Sequence, residues 1–168
     1  MKNKKIGIVM GSASDLSTMK EAVNILRKFE IDFDVNVISA HRSPERVHSY
    51  ALDAENKYEV IIVGAGGAAH LAGVIASFTP IPVIGVPMLT SGLGGLDSLL
   101  STVQMPSGIP VPTIGIGKSG AVNAALLAVQ IVSISDQKLR QKIVRYKKKL
   151  ADDVAKKDAE VRTELGLW

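Results

Sequence analysis

The stretch Ile6-Gly7-Ile8-Val9-Met10-Gly11-Ser12-Ala13-Ser14-Asp15 decides the fold. Its first half is nearly all apolar and reads as a short buried strand, which Gly11 ends in a tight turn. Beyond Asp15, the residues Leu16, Met19, Val23 and Leu26 recur at helical spacing, so a strand runs through a small polar loop into a helix. The same unit then repeats. Phe33, Val35, Val37 and Ile38 form a second strand pattern that gives way at Ser39-Ala40-His41-Arg42-Ser43-Pro44 to a helix start. Ser43 is placed there to cap, Pro44 suits the first turn and Glu45 favours its positive end. Val60-Ile61-Ile62-Val63 is a third strand that breaks into the small-residue loop Gly64 to Gly73, and a fourth lies within Pro82 to Pro87.

A glycine-rich connection near Leu89 to Gly95, a short helix over Ser98 to Val103 and a fifth strand at Val111 to Ile116 complete the alternation. An apolar helix covers Val122 to Ile134, and a charged helix starts near Asp136. Strands and helices alternating at this spacing predict an α/β fold: a three-layer, flavodoxin-like parallel sheet with helices on both faces, plus a C-terminal helical extension. The chain reads as a single domain, 1–168, with 136–168 as its charged C-terminal helix.

Composition narrows the function classes. Hydrophobic residues are 46% of the chain but aromatics only 4%, so Val, Ile, Leu and Ala must build the core. The mean hydropathy of +0.22 is high for a short chain. Because Val122 to Ile134 is also apolar nearly all round, association with another subunit is expected. The absence of cysteine excludes disulfides, thiol catalysis and cysteine-ligated metals. No apolar run has spanning length and no signal-peptide core follows Met1-Lys2-Asn3-Lys4-Lys5, so no membrane partner and a cytoplasmic location are expected. The net charge of +4 lies wholly in 136–168, where ten Lys/Arg meet six Asp/Glu. Lys147-Lys148-Lys149 followed by Asp152-Asp153 is the mixed pattern of a solvated helix face, without aromatic stacking platforms, so nucleic acid is not an expected partner.

Loops at the carboxyl ends of parallel strands are where ligands bind in such sheets. His41 is an acid/base candidate, because imidazole ordinarily titrates near neutral pH. Arg42 beside it is a fixed cation suited to phosphate or carboxylate. Ser12 and Ser14 offer hydroxyls next to the free N–H groups of a helix start, a natural phosphate cradle. Asp15 either caps that helix or accepts hydrogen bonds from a ribose. The small residues from Gly64 to Gly73 let a ligand come close, with His70 at the third helix start. Each motif alone reads equally well as a cap, a turn or a solvated surface. Three of them at one sheet edge argue for a site. His48 lies on the second helix, and three histidines without ligand spacing give no metal centre.

The segments Gly11-Ser12-x-Ser14-Asp15, Ser39-Ala40-His41-Arg42 and Ala65-Gly66-Gly67-Ala68-Ala69-His70-Leu71-x-Gly73 resemble the PurE family of purine biosynthesis. The likeness continues through Pro82 to Pro87, Asp97-Ser98-Leu99-Leu100-Ser101, Val103 to Val111 and Asn123 to Ala128, so it spans about 5 to 135. Ala72 stands where proline is expected and Ser43 where threonine is common. The resemblance implies an isomerase that moves a carboxylate from the exocyclic nitrogen of an aminoimidazole ribonucleotide to the neighbouring ring carbon. It implies His41 as the proton shuttle, and Ser12, Ser14, Asp15, Ser39, Arg42, Gly67, Ala68, His70 and Leu71 as substrate-binding residues. It further implies no cofactor or metal, and a homo-octamer. Family members that carboxylate the unmodified ribonucleotide directly with CO2 are expected to carry lysine at the Arg42 position and to lack the Ala-His-Leu-x-Gly segment. A flavodoxin-like nucleotide binder without catalysis is the rival from another class.

Three look-alikes fail on position. Gly64 to Ala69 fits a relaxed dinucleotide pattern but follows the third strand, with no acid about twenty residues on. Gly117-Lys118-Ser119 imitates the end of a triphosphate loop, yet Pro112 occupies the required glycine position. Ser12, His41 and Asp15 lack the nucleophile elbow of a serine hydrolase.

Overall fold

The structure is a computed structural model that describes residues 5–167. Four strands, β1 (Lys5–Met10), β2 (Asp32–Val37), β3 (Val60–Ala65) and β4 (Val83–Pro87), form one parallel sheet in the order β2-β1-β3-β4. Register follows the apolar pattern: Ile8 of β1 lies between Val35 of β2 and Ile62 of β3. The helices are α1 (Leu16–Lys28), α2 (Pro44–Lys57), α3 (Leu71–Ala76), α4 (Leu96–Val103), α5 (Gly117–Ser133) and α6 (Gln137–Glu164).

Successive strand residues point to opposite faces, and both faces are covered. On one side Val9, Ile61, Val63, Ala65 and Val83 share a buried cluster with Val47, Ala51 and Ala54 of α2 and Leu71, Ala72 and Ile75 of α3. On the other side Met19 of α1 reaches Gly64, where a Cβ would come within 2.6 Å of its sulfur. Parallel strands buried on both faces are continuously apolar, which is why β1, β3 and β4 are legible as runs without alternation. The edge strand β2 is half exposed and reads as alternating.

The predicted fifth strand is absent among the described residues. Val111 to Ile116 contributes one isolated bridge, Thr113 to Gly85, with the Gly85 N–H donating to the Pro112 carbonyl at 2.8 Å. Pro110 and Pro112 have no N–H to offer a ladder, and Gly115 turns to a φ of +122°, so pairing ends after one step.

One compact unit ends at Val132 and a second begins at Ser133. α5 buries Ala121, Ala124, Ala125, Ala128 and Val129 on one face and leaves Leu126, Leu127 and Ile131 half-buried. In the second unit, Asp136 caps α6 by accepting from the Leu139 N–H at 3.0 Å. Leu139 and Ile143 are buried, while Leu150, Val154 and Val161 are exposed. Among the described residues no helix is long and apolar enough to cross a membrane.

Candidate active site

A cavity of about 520 Å³ opens at the carboxyl ends of all four strands. Gly11, Ser12, Ser14 and Asp15 line it after β1, and Ser39 to Arg42 after β2. Ala65, Gly66, Ala68 and Leu71 line it after β3, and Met88, Leu89 and Thr90 after β4. The cavity thus lies at the edge where such sheets take ligands.

The first loop is more tightly tied than a bare helix start. Ala13–Asp15 forms a 3-10 turn before α1, with Ser12 at its N-cap. Ser12 Oγ accepts from the Ser14 N–H at 3.3 Å and from the Ser14 hydroxyl at 2.8 Å. Ser12 N–H in turn donates to Asp15 Oδ2 at 3.2 Å, and Ser14 Oγ also lies 3.3 Å from Asp15 Oδ1. This is a capping box, so Asp15 does serve as a helix-start acid. Partial burial pushes its carboxyl above the usual range, against the opposing pull of the hydrogen bonds from Ser12 and Ser14.

The second loop folds on itself through its serines. Ser43 does not cap α2 with its side chain, as its position predicted. Its hydroxyl donates back to the Ser39 carbonyl at 2.9 Å and accepts from the Ser39 N–H at 3.1 Å. The closed ring these two residues make takes the hydroxyl that a cap would need. Arg42 reaches from this loop to the first: Nε donates to Ser39 Oγ and Nη2 to the Gly11 carbonyl, each at 3.3 Å. A guanidinium has five N–H donors, so three remain beyond these two contacts.

The third loop carries a second imidazole to the first. His41 Nε2 lies 3.0 Å from His70 Nδ1, with the rings edge to face and their centroids 5.1 Å apart. His70 is the N-cap residue of α3 but makes no side-chain cap bond, because its ring is turned to His41. Two predicted residues sit off the cavity wall. Gly67 is held behind it, and His70 lines a neighbouring hollow of about 390 Å³ with Gly73, Leu100 and Ser101. Ala72 is buried in the first turn of α3, and the helix forms there without the expected proline. His48 is exposed on α2, its ring against Phe78 with centroids 4.7 Å apart.

Met88, Leu89 and Thr90 are the lining residues that the sequence reading passed over. Their signal was available, since they follow a fourth apolar strand at its carboxyl end. Thr90 Oγ1 donates to Asp97 Oδ1 at 2.7 Å, which holds that carboxyl below its ordinary range. Among the described residues no group of three or more His, Asp or Glu side chains is placed to hold a metal ion.

Comparison with known proteins shows the family. A protein from Pyrococcus abyssi, named N5-carboxyaminoimidazole ribonucleotide mutase, is 60% identical over 85% of this chain and 82% of its own length. The Escherichia coli protein of the same name is 52% identical over 89% of each chain. The crystal structure of Treponema denticola PurE superposes with a TM-score of 0.84 at 27% identity, covering 95% of this chain and 99% of that one. The family model described as AIR carboxylase matches residues 5–153, nearly the whole of the first unit and more than half of α6. The chain belongs to the AIR carboxylase family.

Proposed function

We propose that this chain is a mutase of purine biosynthesis that converts 5-(carboxyamino)imidazole ribonucleotide to 5-amino-1-(5-phosphoribosyl)imidazole-4-carboxylate. The observation that carries the reading is His41 on the wall of the four-loop cavity, with Arg42 at its side and the Ser12-Ser14-Asp15 loop opposite. The names of the relatives at 60% and 52% identity support the same reaction.

The substrate's aminoimidazole is an electron-rich enamine, so its ring carbon can attack CO2 with no activated carrier. His41 gives a proton to the exocyclic nitrogen as the carbon–nitrogen bond breaks and CO2 leaves. The ring carbon then attacks that CO2, and His41 takes the proton which the ring carbon carried. The proton count balances and the histidine is restored. A single group that moves a proton both ways suits imidazole. Arg42 binds the substrate's phosphate or carboxylate, helped by Ser12, Ser14 and Ser39, and Asp15 takes ribose hydroxyls. Gly67, Ala68, Leu71 and His70 belong to the loop that closes over the base and retains CO2 between the half-steps.

The same proposal includes a homo-octamer in the cytoplasm. Half-buried leucines on α5, exposed Leu96, Leu100 and Val103 along α4, and exposed Leu93 in the turn before it, supply apolar surface for subunit contacts. The test is conversion of the carboxyamino compound by purified protein, followed as appearance of the ring-carboxylated isomer. The family model's description as AIR carboxylase keeps direct carboxylation as a second reading. Equal rates with aminoimidazole ribonucleotide plus bicarbonate would select it.

A further inference from the structure

Gly67 has a φ of +67°, and a Cβ there would touch nothing within 4 Å, so glycine serves conformation at this position and not space. What fixes its peptide groups is α4. The Gly67 N–H donates to Ser98 Oγ at 2.9 Å, and the hydroxyl of Ser101 lies 2.9 Å from the Gly67 carbonyl. Ser101 also touches the Asp97 carbonyl, so its single proton is shared between two acceptors. Ser98 is fully buried. A buried hydroxyl is costly without a partner, and alanine would serve the helix as well, so its partner across 31 residues is the reason for a serine here.

Gly67 sits between Gly66 and Ala68, both of which line the cavity, and three residues before His70, which meets His41. The intervening backbone is closely turned: Ala69 N–H donates to the Gly67 carbonyl and His70 N–H to the Ala68 carbonyl, both at 2.8 Å. A rotation of the Gly67 peptide therefore passes directly to the His70 ring. The same turn of α4 holds the far wall, because Asp97 accepts from Thr90.

We propose that Ser98 and Ser101 are positioning residues for carboxyl transfer, clamping both polar groups of the Gly67 peptide and so setting His70 against His41. This rests on the reading of the cavity as the mutase site. Ser98→Ala, Ser101→Ala and Ser101→Thr are compared with the wild type, and Ser77→Ala, an exposed helix-end serine, is the control. Turnover number, KM, thermal unfolding and the ring 15N resonances of His41 and His70 are read for each. Displacing a catalytic pair by up to an ångström lowers turnover by as much as about a hundredfold. The expected result is a fall of about ten- to a hundredfold in kcat for the alanine variants, with KM within about threefold. Their His41 and His70 ring signals shift, and Ser101→Thr recovers most of the rate. Should Ser98→Ala fail to fold, the Ser101 pair alone decides. A kcat within twofold of wild type together with unmoved ring signals overturns the clamp while leaving the mutase intact. A wild type that does not turn over the carboxyamino compound overturns the mutase reading and the clamp with it.

Discussion

Replacing Arg42 by alanine isolates anion binding from folding. The side chain is exposed, and the three hydrogen bonds that Arg42 makes to Ser39 and Gly11 are all 3.3 Å long, the weak end of the hydrogen-bond range. One of them comes from the backbone N–H, which the variant keeps. Stability should therefore change by no more than about 0.5 kcal/mol, as for surface substitutions generally. Ligand affinity has much more at stake. A charge-assisted bond to an anion contributes about 1.5–3 kcal/mol, and tenfold in affinity corresponds to about 1.4 kcal/mol. The loss should then be about ten- to 150-fold. Calorimetric titration with aminoimidazole ribonucleotide, which lacks the carboxylate, against the carboxyamino substrate under non-turnover conditions separates the two anions. A loss common to both places Arg42 at the phosphate, and a loss confined to the second places it at the carboxylate. Arg42→Lys keeps charge but not the fork that spans the two loops, so it should recover only part of the affinity. Unchanged affinity for both ligands in Arg42→Ala refutes the reasoning.

Further outcomes follow from other residues. His41→Asn should retain substrate affinity and lose about a hundred- to ten-thousandfold in kcat, read by steady-state kinetics. Lys5 Nζ lies 2.6 Å from Asp34 and, by hydrogen bonding, holds that carboxyl below the ordinary aspartate range, with Tyr58 donating to it as well. That stabilisation is present above the ordinary value of about 3.9 and lost as pH falls through the depressed one. Asp34→Asn should consequently be less stable than wild type at pH 7, and denaturant titrations at successively lower pH should show the gap closing. Ala72→Pro, in the first helical turn where proline is tolerated, should raise stability by about 0.4–1 kcal/mol through the unfolded chain, seen as a higher Tm. Chelator-treated, dialysed protein should convert the carboxyamino substrate at the full rate with no added metal, nucleotide or coenzyme, and a rate restored by any such addition would count against the proton-shuttle mechanism.

The sheet was readable because parallel strands covered on both faces keep every side chain apolar, and β1, β3 and β4 do so. Val111 to Ile116 misled for the same reason, since an apolar run says nothing about whether its N–H groups exist, and Pro110 and Pro112 remove two. At the site, the residue types that suggest chemistry were found in sequence, but their partners were not. Ser43 looked like a cap because cap preference is local, whereas its bond to Ser39 depends on how the loop closes. The contact between His41 and His70 joins residues 29 apart and could not be inferred from either loop alone. Ser98 and Ser101 sit in an amphipathic helix where serine is unremarkable until Gly67 is seen beside them.

In the proposed shuttle, the histidine pair constrains how the proton can move. Only one hydrogen fits between His41 Nε2 and His70 Nδ1, so at each moment one ring donates and the other accepts. When His41 carries its shuttle proton as a cation, both its nitrogens are donors, and His70 must be the acceptor with its own hydrogen on Nε2. When His41 is neutral, it either keeps the hydrogen on Nε2 and accepts at Nδ1, or receives one from His70 Nδ1. The partner therefore leaves Nδ1 as the nitrogen of His41 free to meet a substrate atom, and decides whether that nitrogen donates or accepts. A ring at the end of a glycine-rich loop can do this only if the loop is held in place. The hydrogen bonds from α4 to Gly67 would supply that restraint, so in the proposed mechanism the third loop is a support for the acid/base group as much as a cover for the base.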